Sequence, residues 1–503
     1  MDFPAGQTLR CDSFERDETL ECDVAVIGSG AGGAAAAWVL SQAGLKVLII
    51  EEGRKFEPGE LSTKQSWALR NIYAERGSSV ATGNVYLPMP RGKAVGGSTL
   101  LNSAICFRTP VQILKRWQEE FEVPWADPEH YDPVFAEVES AIGVAKTSPA
   151  NARAHNLIFK AGVDALKLDG DFISRNAPGC IGCGLCQLGC PIGGKGSVDR
   201  NLIPVSLSHG AALLTCARAT KILVEGGIAT GVEVYGVDPV TEERKRRIDV
   251  KAKKVFLCAG AVSSPILLLR QGLANSNGQV GNNLRVHTGG GICARFEQVI
   301  DLWHGVTQGY YLRLPGENAV LETFSATPEI YAIQYENYSK PIDQLRHLAS
   351  CGCMIGDVST GTVRPGPSEQ RSAMTYDVQE EDVRVHLKGL VQIAKIYFAA
   401  GALEVHPGLH GFGAFKSVEA LETLLQKGVP ADRLGIYASH PMGTCRMSGD
   451  KKRGVVKPTG ESWDVEGLYV SDASVFPTSL GVNPQITVMS TSIQIARQSL
   501  QKG

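Results

Sequence analysis

Runs of apolar residues alternate with glycine-rich and polar stretches, and the first runs predict a βαβ unit. DVAVIG (23–28) has the continuous apolar character of a strand buried on both faces, the alanine-rich stretch to Ala43 that of a helix, and KVLIIE (46–51) is a second buried strand. A later run, KVFLCAGAV (254–262), predicts another core strand, followed by a helix over 263–271 with Ser263 or Ser264 as its N-cap. One sheet is therefore built from distant segments.

The rest of the chain has a different pattern. Residues 111–210 lack a strand–helix alternation and are interpreted as inserted material. From Gly289 to about Tyr376, short pieces such as GYYLRL and AVLETF predict a sheet that lines a binding cavity. Beyond it, apolar residues at helical spacing predict the buried face of one long helix: Val383, Leu387, Leu390, Val391, Ala394 and Phe398. A cofactor domain interleaved with a substrate domain fits this order best.

Composition excludes several classes of protein. Of 503 residues, 43% are apolar and 20% charged, as in ordinary globular proteins. The net charge of −2 provides no basic surplus for nucleic acid or for an anionic membrane. No apolar run is long enough to span a bilayer, and the N-terminus lacks a signal-peptide pattern, so we expect a cytoplasmic protein. The 56 glycines exceed usual usage, which suggests backbone lying close to a ligand.

The first glycine cluster is a dinucleotide-binding fingerprint. Gly28-Ser29-Gly30-Ala31-Gly32-Gly33 follows a strand and opens a helix, the context in which G-x-G-x-x-G is informative. The helix N-terminus then offers N–H groups to a pyrophosphate. Glu51, at the end of the second strand, can accept hydrogen bonds from a ribose and would repel a 2′-phosphate. FAD or NAD remains, and NADP is disfavoured.

Four of the thirteen cysteines lie within eleven residues, in the order Cys180, Cys183, Cys186, Cys190, with Pro191 next. This is the C-x2-C-x2-C-x3-C-P spacing of bacterial ferredoxins, and it favours an Fe–S cluster over zinc. In two-cluster ferredoxins the last cysteine binds the other cluster, so [3Fe–4S] with three ligands stays open beside [4Fe–4S]. A loop of unpaired or disulfide-bonded thiols is the alternative. The other nine cysteines indicate a reducing compartment.

Several further motifs resemble those of the glucose–methanol–choline (GMC) oxidoreductases. They are Gly96-Gly97-Ser98-Thr99 with Asn102, CAGAVSSPILLLRQG (258–272), Gly281-Asn-Asn-Leu284 with His287, SHPMGTCRM (439–447) and VSDASVFPTSLGVNPQITVM (470–489). They cover both ends and the middle of the chain. The resemblance implies an α/β fold in which a Rossmann-like FAD-binding domain is interleaved with an α+β substrate-binding domain.

The resemblance also implies where the cofactor lies. Gly28, Gly30, Ala31, Gly33 and Glu51 would hold the adenosine and pyrophosphate side, and Ala219 would lie near adenine. The flavin ring and ribityl chain would contact Gly97, Ser98, Asn102, Ser103, Ile105, Asp472, Ala473 and Gln485. Some members attach FAD to a histidine that precedes the motif asparagine. Leu101 stands there in this chain, so we expect non-covalent FAD.

The catalytic pair implied by the resemblance is His440 and Asn483. Histidine can accept the proton of an alcohol near neutral pH, and an asparagine amide can donate a hydrogen bond to the developing alkoxide. We expect oxidation of an alcohol to an aldehyde or ketone with His440 as the base. Cys183 is an additional thiol relative to related segments of the family, and it favours [4Fe–4S].

Electrons would leave through the cluster to an external acceptor such as a quinone, a cytochrome or a small redox protein. An oxygen-using oxidase without a cluster, a flavin-bearing lyase and a redox sensor are the alternatives. The expected domains are an FAD-binding part over 20–110, 201–288 and 433–503, an insertion at 111–200 with its cysteine-rich loop at 179–196, and a substrate-binding part at 289–432. The motifs do not identify the alcohol.

Overall fold

The computed structural model describes residues 1–329 and 344–501, so 330–343 of the expected substrate-binding part lie outside the described residues. The strands are β1 (Thr8–Arg10), β2 (Glu18–Ile27), β3 (Val47–Ile50), β4 (Val80–Thr82), β5 (Tyr86–Pro88), β6 (Ala145–Lys146), β7 (Gly170–Phe172), β8 (Ser174–Arg175), β9 (Ala212–Thr215), β10 (Ala217–Glu225), β11 (Ile228–Val237), β12 (Arg244–Leu257), β13 (Gly289–Arg295), β14 (Tyr310–Arg313), β15 (Ala319–Thr323), β16 (Leu348–Ile355), β17 (Gly361–Pro365), β18 (Ser372–Tyr376), β19 (Glu404–Pro407) and β20 (Leu468–Val470). The helices are α1 (Ala31–Gln42), α2 (Gln65–Asn71), α3 (Val111–Phe121), α4 (Pro128–Ala141), α5 (Pro149–Ala165), α6 (Leu202–Ser208), α7 (Gly260–Gln271), α8 (Glu380–Ala399), α9 (Val418–Gln426) and α10 (Gln485–Leu500).

The first sheet has the strand order β1-β9-β3-β2-β12-β11-β10, and β20 pairs with β12. The pairs of β2 with β3 and with β12 are parallel, and α1 connects β2 to β3. The predicted βαβ unit and the assembly from distant segments are therefore confirmed. Strand β2 begins at Glu18, earlier than the predicted start at Asp23, because its polar first half pairs with residues 248–252 of β12.

The second sheet has the order β19-β13-β16-β15-β14-β7, and its apolar side packs on α5 and α8. The strands predicted between 289 and 376 are confirmed by β13 to β18. A smaller sheet, β17-β18-β4-β5, lies beside them. Each of the two large sheets has its own cluster of buried apolar side chains.

Two sequence predictions about helices are wrong in detail. Helix α7 begins at Gly260, so Ser263 and Ser264 lie inside it, because the carboxylate of Asp472 accepts the Gly260 N–H (2.8 Å) and caps this end. The buried face of α8 also differs from the one that the sequence predicts. Leu390 and Ala394 are buried as predicted, but Val383, Leu387 and Val391 line a groove beside α9.

Within the two described ranges, the structure contains no helix long and apolar enough to cross a membrane. All thirteen cysteines lie in these ranges, and none of them forms a disulfide bond. Disulfide bonding is therefore removed as an explanation for the cysteine-rich loop.

Candidate active site

The glycine fingerprint forms a tight turn between β2 and α1. Gly28 has φ of 101°, and a Cβ there would lie 2.4 Å from the Cys258 carbonyl oxygen. A Cβ on Gly33 would lie 1.8 Å from the Gly28 carbonyl oxygen. The N-cap Gly30 provides no side chain to the helix that begins at Ala31, so the first N–H groups of α1 are available to a phosphate.

A second glycine loop faces this turn. Gly97 has φ of 53°, and a Cβ there would come within 2.9 Å of the Gly30 Cα atom. The following Ser98 accepts the Gly92 N–H (3.1 Å) and holds the loop. Two bare stretches of backbone thus form a narrow cradle that side chains would fill.

Glu51 lies directly after β3, at the edge of this cradle. Its Oε2 accepts hydrogen bonds from the Ser29 N–H (3.1 Å) and hydroxyl (2.7 Å), and its Oε1 accepts one from the Gly53 N–H (2.8 Å). Burial raises the pKa of this carboxyl, and Oε1 keeps a lone pair for a further donor. The Ala217 N–H donates to the Glu51 carbonyl (2.9 Å), so Ala219 lies two residues further along the adjoining β10.

Asn102, Ile105 and Gln485 come together although they are far apart in sequence. The Asn102 amide donates to Gln485 Oε1 (2.9 Å), and Gln485 Nε2 donates to the Ile105 carbonyl (2.6 Å). Gln485 is the first residue of α10, so this helix begins against the segment predicted to follow the flavin ring. We call residues 97–105 the flavin segment.

Asp472 and Ala473 lie between α1, α7 and the loop of His440. The Asp472 carboxylate accepts bonds from Gly260 N–H and from the Ser264 hydroxyl (2.6 Å), and burial raises its pKa. The Ala473 carbonyl accepts the Gly443 N–H (3.1 Å), which ties the His440 loop to this turn. A Cβ on Gly32 would lie 2.1 Å from the Ser471 carbonyl oxygen, so this turn also packs closely on the start of α1.

His287 is the point where three segments meet. Its Nε2 accepts the backbone N–H groups of both Leu480 and Gly481 at 2.9 Å, and its Nδ1 lies 3.3 Å from His440 Nδ1. The residue has φ of 52°, which is unfavourable for a side chain with a Cβ. Burial lowers the pKa of His287 to about 3, so the ring is neutral.

Asp357 holds His287 in this conformation. Its buried carboxylate accepts the N–H groups of Val286 (3.0 Å) and His287 (3.1 Å), the Ser479 hydroxyl (2.6 Å) and the Tyr376 hydroxyl. Hydrogen bonds to a charged acceptor are among the stronger ones in proteins. They compensate for the strained backbone at His287.

These contacts determine the proton positions on both histidines. Because His287 Nε2 accepts two N–H groups, its own proton is on Nδ1, from where it donates to His440 Nδ1. His440 then carries its proton on Nε2, and burial lowers its pKa well below the ordinary value. These contacts do not test the expectation that His440 is the base, which stays a prediction.

Asn483 lies three residues after Leu480 and two after Gly481. Only Pro484 separates it from Gln485, the first residue of α10. Its Oδ1 is buried without a hydrogen-bond partner among the described residues, and its side chain faces the carboxyl of Glu322. Along the chain, Asn483 therefore lies between Gly481, which donates to His287, and Gln485, which bonds the flavin segment.

The four clustered cysteines line one enclosed cavity, which we call the cysteine cavity. Within the described ranges, no three His, Cys, Asp or Glu side chains form a ligand set for a single metal ion.

Two buried cations adjoin the cysteine cavity. Arg175 donates to Cys186 Sγ (3.2 Å), to Cys180 Sγ (3.7 Å) and to the Ser103 carbonyl (2.9 Å). Lys195 donates to the carbonyls of Leu100 (2.6 Å), Asn102 (2.8 Å) and Cys186 (3.0 Å). Burial opposes a thiolate at Cys186, but the two cations outweigh it and lower the pKa of this thiol. Burial lowers the pKa of Lys195 to about 8.

Sequence reasoning missed three polar residues of this region. Asp357 and Glu322 belong to no motif, and their importance comes from the tertiary contacts alone. His287 stands in the G-x-N-L-x-x-H segment, which was a usable signal, but the spacing gives no indication that it contacts His440.

Comparisons with known proteins agree with this geometry. Two sequence models described as GMC oxidoreductase match residues 69–289 and 357–492, and one described as an NAD(P)-binding Rossmann-like domain matches 26–82. An uncharacterised GMC-type oxidoreductase of Mycobacterium tuberculosis is 32% identical over 97% of this chain and 77% of its own length. The long-chain-alcohol oxidase FAO4B of Arabidopsis thaliana is 28% identical over 98% of this chain and 69% of its own.

Solved structures share the fold. Pyridoxine 4-oxidase from Mesorbium loti superposes with a TM-score of 0.70 at 19% identity, over 95% of this chain and 99% of that one. A formate oxidase variant of Aspergillus oryzae has a TM-score of 0.71 at 15% identity, over 96% and 98% of the two chains. The α/β architecture with a Rossmann-like part, expected from the sequence, is confirmed.

The residues present fit FAD. The bare cradle of Gly30 and Gly97, the uncapped start of α1 and the open lone pair of Glu51 provide for phosphate and ribose, as the fingerprint requires. At Gly30, a substitution can therefore affect cofactor binding without disturbing the fold. Gly30 has no crowded neighbour, since a Cβ there would meet only the Gly97 Cα at 3.9 Å.

Replacing Gly30 with valine should leave the fold intact and reduce FAD content at least about tenfold, because the side chain would occupy the cradle. Flavin absorbance per mole of protein and thermal unfolding followed by circular dichroism measure the two effects. Gly59→Val is the matched control, since a Cβ there meets nothing within 4 Å. Full FAD content in the Gly30 variant would show that the cradle does not hold the cofactor.

Proposed function

This chain belongs to the GMC oxidoreductase family, and from that premise we propose that it oxidises an alcohol to an aldehyde or ketone beside His440 and Asn483. It is an FAD-dependent alcohol oxidoreductase. The observation that carries the site assignment is that residues 480–485, which include Asn483, contact both His287 and the flavin segment, while His287 contacts His440. We also propose the interleaved domain division at 20–110, 111–200, 201–288, 289–432 and 433–503.

His440 and Asn483 are the groups proposed to hold the alcohol oxygen. His440 Nε2–H donates to that oxygen, because His287 keeps the other ring nitrogen occupied. The Asn483 amide stabilises the developing alkoxide from a second side. FAD, when bound, supplies the acceptor for the hydride that leaves the alcohol carbon. Gly97, Ser98, Asn102, Ser103 and Ile105 would line its ring, together with Asp472, Ala473 and Gln485.

The substrate class is supported by the names of the relatives alone. Four long-chain-alcohol oxidases of Arabidopsis thaliana align with at least 94% of this chain. A long-chain primary alcohol is therefore the first compound to test, with oxygen as the simplest acceptor. A lyase that carries FAD without net redox remains the alternative, and reduction of the flavin by an alcohol separates the two.

The cysteine cavity supports a second electron carrier. Four thiolates around an Fe–S core carry net negative charge, and Arg175 and Lys195 provide buried positive charge next to it. The same two cations bond the carbonyls of Leu100, Asn102 and Ser103 in the flavin segment. We propose a [4Fe–4S] cluster on Cys180, Cys183, Cys186 and Cys190 that passes single electrons to an external acceptor, with [3Fe–4S] as the alternative. The thirteen thiols, none of which is in a disulfide bond, support a cytoplasmic location.

His440→Ala should lower the rate of anaerobic flavin reduction about 10²- to 10³-fold, the usual effect of removing one hydrogen-bond donor from a developing oxyanion. Stopped-flow absorbance in the flavin band measures it with 1-dodecanol, benzyl alcohol, glucose and cholesterol as probes. Exposed His209 provides the matched control, His209→Ala, which should leave the rate unchanged. An unchanged rate in the His440 variant contradicts the assignment.

Iron and acid-labile sulfide should each be present at about four per chain in protein purified without oxygen from iron-replete cells, or about three for [3Fe–4S]. Cys186→Ser should abolish both, whereas Cys22→Ser, distant from the cysteine cavity, should not. Less than one iron per wild-type chain, with oxygen reoxidising the flavin rapidly, would support the oxidase without a cluster.

A further inference from the structure

Lys195 lies between the cysteine-rich loop and the flavin segment, and only 3% of its surface is exposed. Its ammonium group spends all three hydrogens on the backbone carbonyls of Leu100, Asn102 and Cys186. Within the part of the chain that the structure describes, it forms no ion pair with a carboxylate, since Asp199 pairs with Arg200 instead (3.4 Å). Burying an ammonium group without a carboxylate is costly, so this residue requires an explanation.

Lys195 fixes the direction of the peptide unit that joins Asn102 to Ser103. Because this unit is trans, its C=O and its N–H point to opposite sides. The Asn102 carbonyl points to the Lys195 ammonium (2.8 Å), so the Ser103 N–H is directed away from it. Ser103 is buried, and among the described residues its N–H has no hydrogen-bond partner. A free N–H in a buried residue indicates an acceptor that the chain itself does not supply.

The neighbouring peptide units, whose carbonyls bond the same two buried cations, have no such free group. The Leu101 N–H donates to the Ser98 carbonyl (3.1 Å), and the Ala104 N–H donates to the Asn102 side chain (3.0 Å). Of the three N–H groups directed away from the cations, the one of Ser103 is therefore left for another molecule.

The flavin ring offers acceptors of the required kind, because it carries ring nitrogens and carbonyl oxygens along its edge. The charged hydrogen bond that Lys195 donates to the Asn102 carbonyl polarises the peptide unit, which makes the Ser103 N–H a stronger donor. A reduced flavin ring bears more negative charge than an oxidised one. Such a donor, backed by a buried positive charge, therefore stabilises the reduced ring more than the oxidised ring.

We propose that Lys195 is a positioning residue for the flavin: it holds the 102–103 peptide unit so that the Ser103 N–H donates to the ring, and it thereby raises the reduction potential of FAD. This inference rests on the proposed position of the ring along the flavin segment. The bond to the Cys186 carbonyl anchors the ammonium group from the other side. A lysine that only fastened the cysteine-rich loop to the flavin segment would leave the potential unchanged.

Lys195→Met tests this assignment in the FAD-loaded full-length protein, because methionine removes the charge and keeps much of the side-chain volume. The midpoint potential of the flavin is measured at pH 7 without oxygen, by equilibration with a dye of known potential. The equilibrium constant for two-electron reduction should fall at least about tenfold, which corresponds to a potential about 30 mV more negative.

Lys254→Met is the matched control. The Lys254 ammonium also donates to a backbone carbonyl, that of Ser499, but this residue lies near the far end of α10, about 20 Å along the helix from Gln485. The control should keep the potential of the wild type.

Arg175→Met separates the effect of the peptide unit from that of buried charge alone. Arg175 is as buried as Lys195 and bonds the same segment, but its partner, the Ser103 carbonyl, shares a peptide unit with the Ala104 N–H, which already has an acceptor. This variant should therefore lower the potential less than Lys195→Met does. An equal or larger shift in the Arg175 variant would overturn the role of the peptide unit.

A wild-type potential in Lys195→Met contradicts the proposal. The shift should persist when both proteins also carry Cys186→Ser, which removes a thiol but keeps the carbonyl that Lys195 bonds; its loss there would show that Lys195 acts on the cysteine cavity and not on the flavin. If Lys195→Met loses FAD, Lys195→Gln replaces it and should also have a lower potential, and an unchanged potential there contradicts the proposal. These measurements need no alcohol. Failure of the proposed function would appear separately, as a wild-type flavin that no alcohol reduces.

Discussion

The two backbone N–H groups that converge on His287 Nε2 are the constraint on which the site depends. They come from Leu480 and Gly481, immediately before Asn483, while His287 belongs to the segment that connects α7 to β13. The same segment pairs with residue 361 on one side and with residue 442 on the other, and the first residue of β13 pairs with residue 437. One ring thus fixes the C-terminal motif, the His440 loop and the second sheet relative to each other. It also fixes which nitrogen of His440 carries a proton.

That proton position bears on how the alcohol oxygen is held. A histidine N–H and an asparagine amide can both donate hydrogen bonds, and such donors stabilise charge that develops on an oxygen. Glu322, whose carboxyl faces Asn483, has its pKa raised to about 8 by burial. Arg175 and Lys195 make a second connection, since each of them bonds both the flavin segment and the cysteine cavity.

The parts of this site that were predictable depend on local chemistry. Gly28 is needed for a positive φ, Gly33 for close packing, and the cysteine spacing for convergence, and each requirement is visible in a short stretch of sequence. The start of α7 was predicted wrongly because its cap, Asp472, lies more than two hundred residues away. The face of α8 was misplaced because a groove beside α9 leaves part of its apolar stripe uncovered. Asp357 and Glu322 are in ordinary strand or loop sequence, and their roles arise only from the packing of distant segments.

Neutron diffraction from the FAD-loaded protein near pH 7 would locate the protons on which this account depends. The account predicts hydrogen on Nδ1 of His287, none on its Nε2, and hydrogen on Nε2 of His440 with its Nδ1 bare. A hydrogen on His440 Nδ1 with Nε2 unprotonated would contradict it, because His287 would then not be the donor that sets the tautomer of His440.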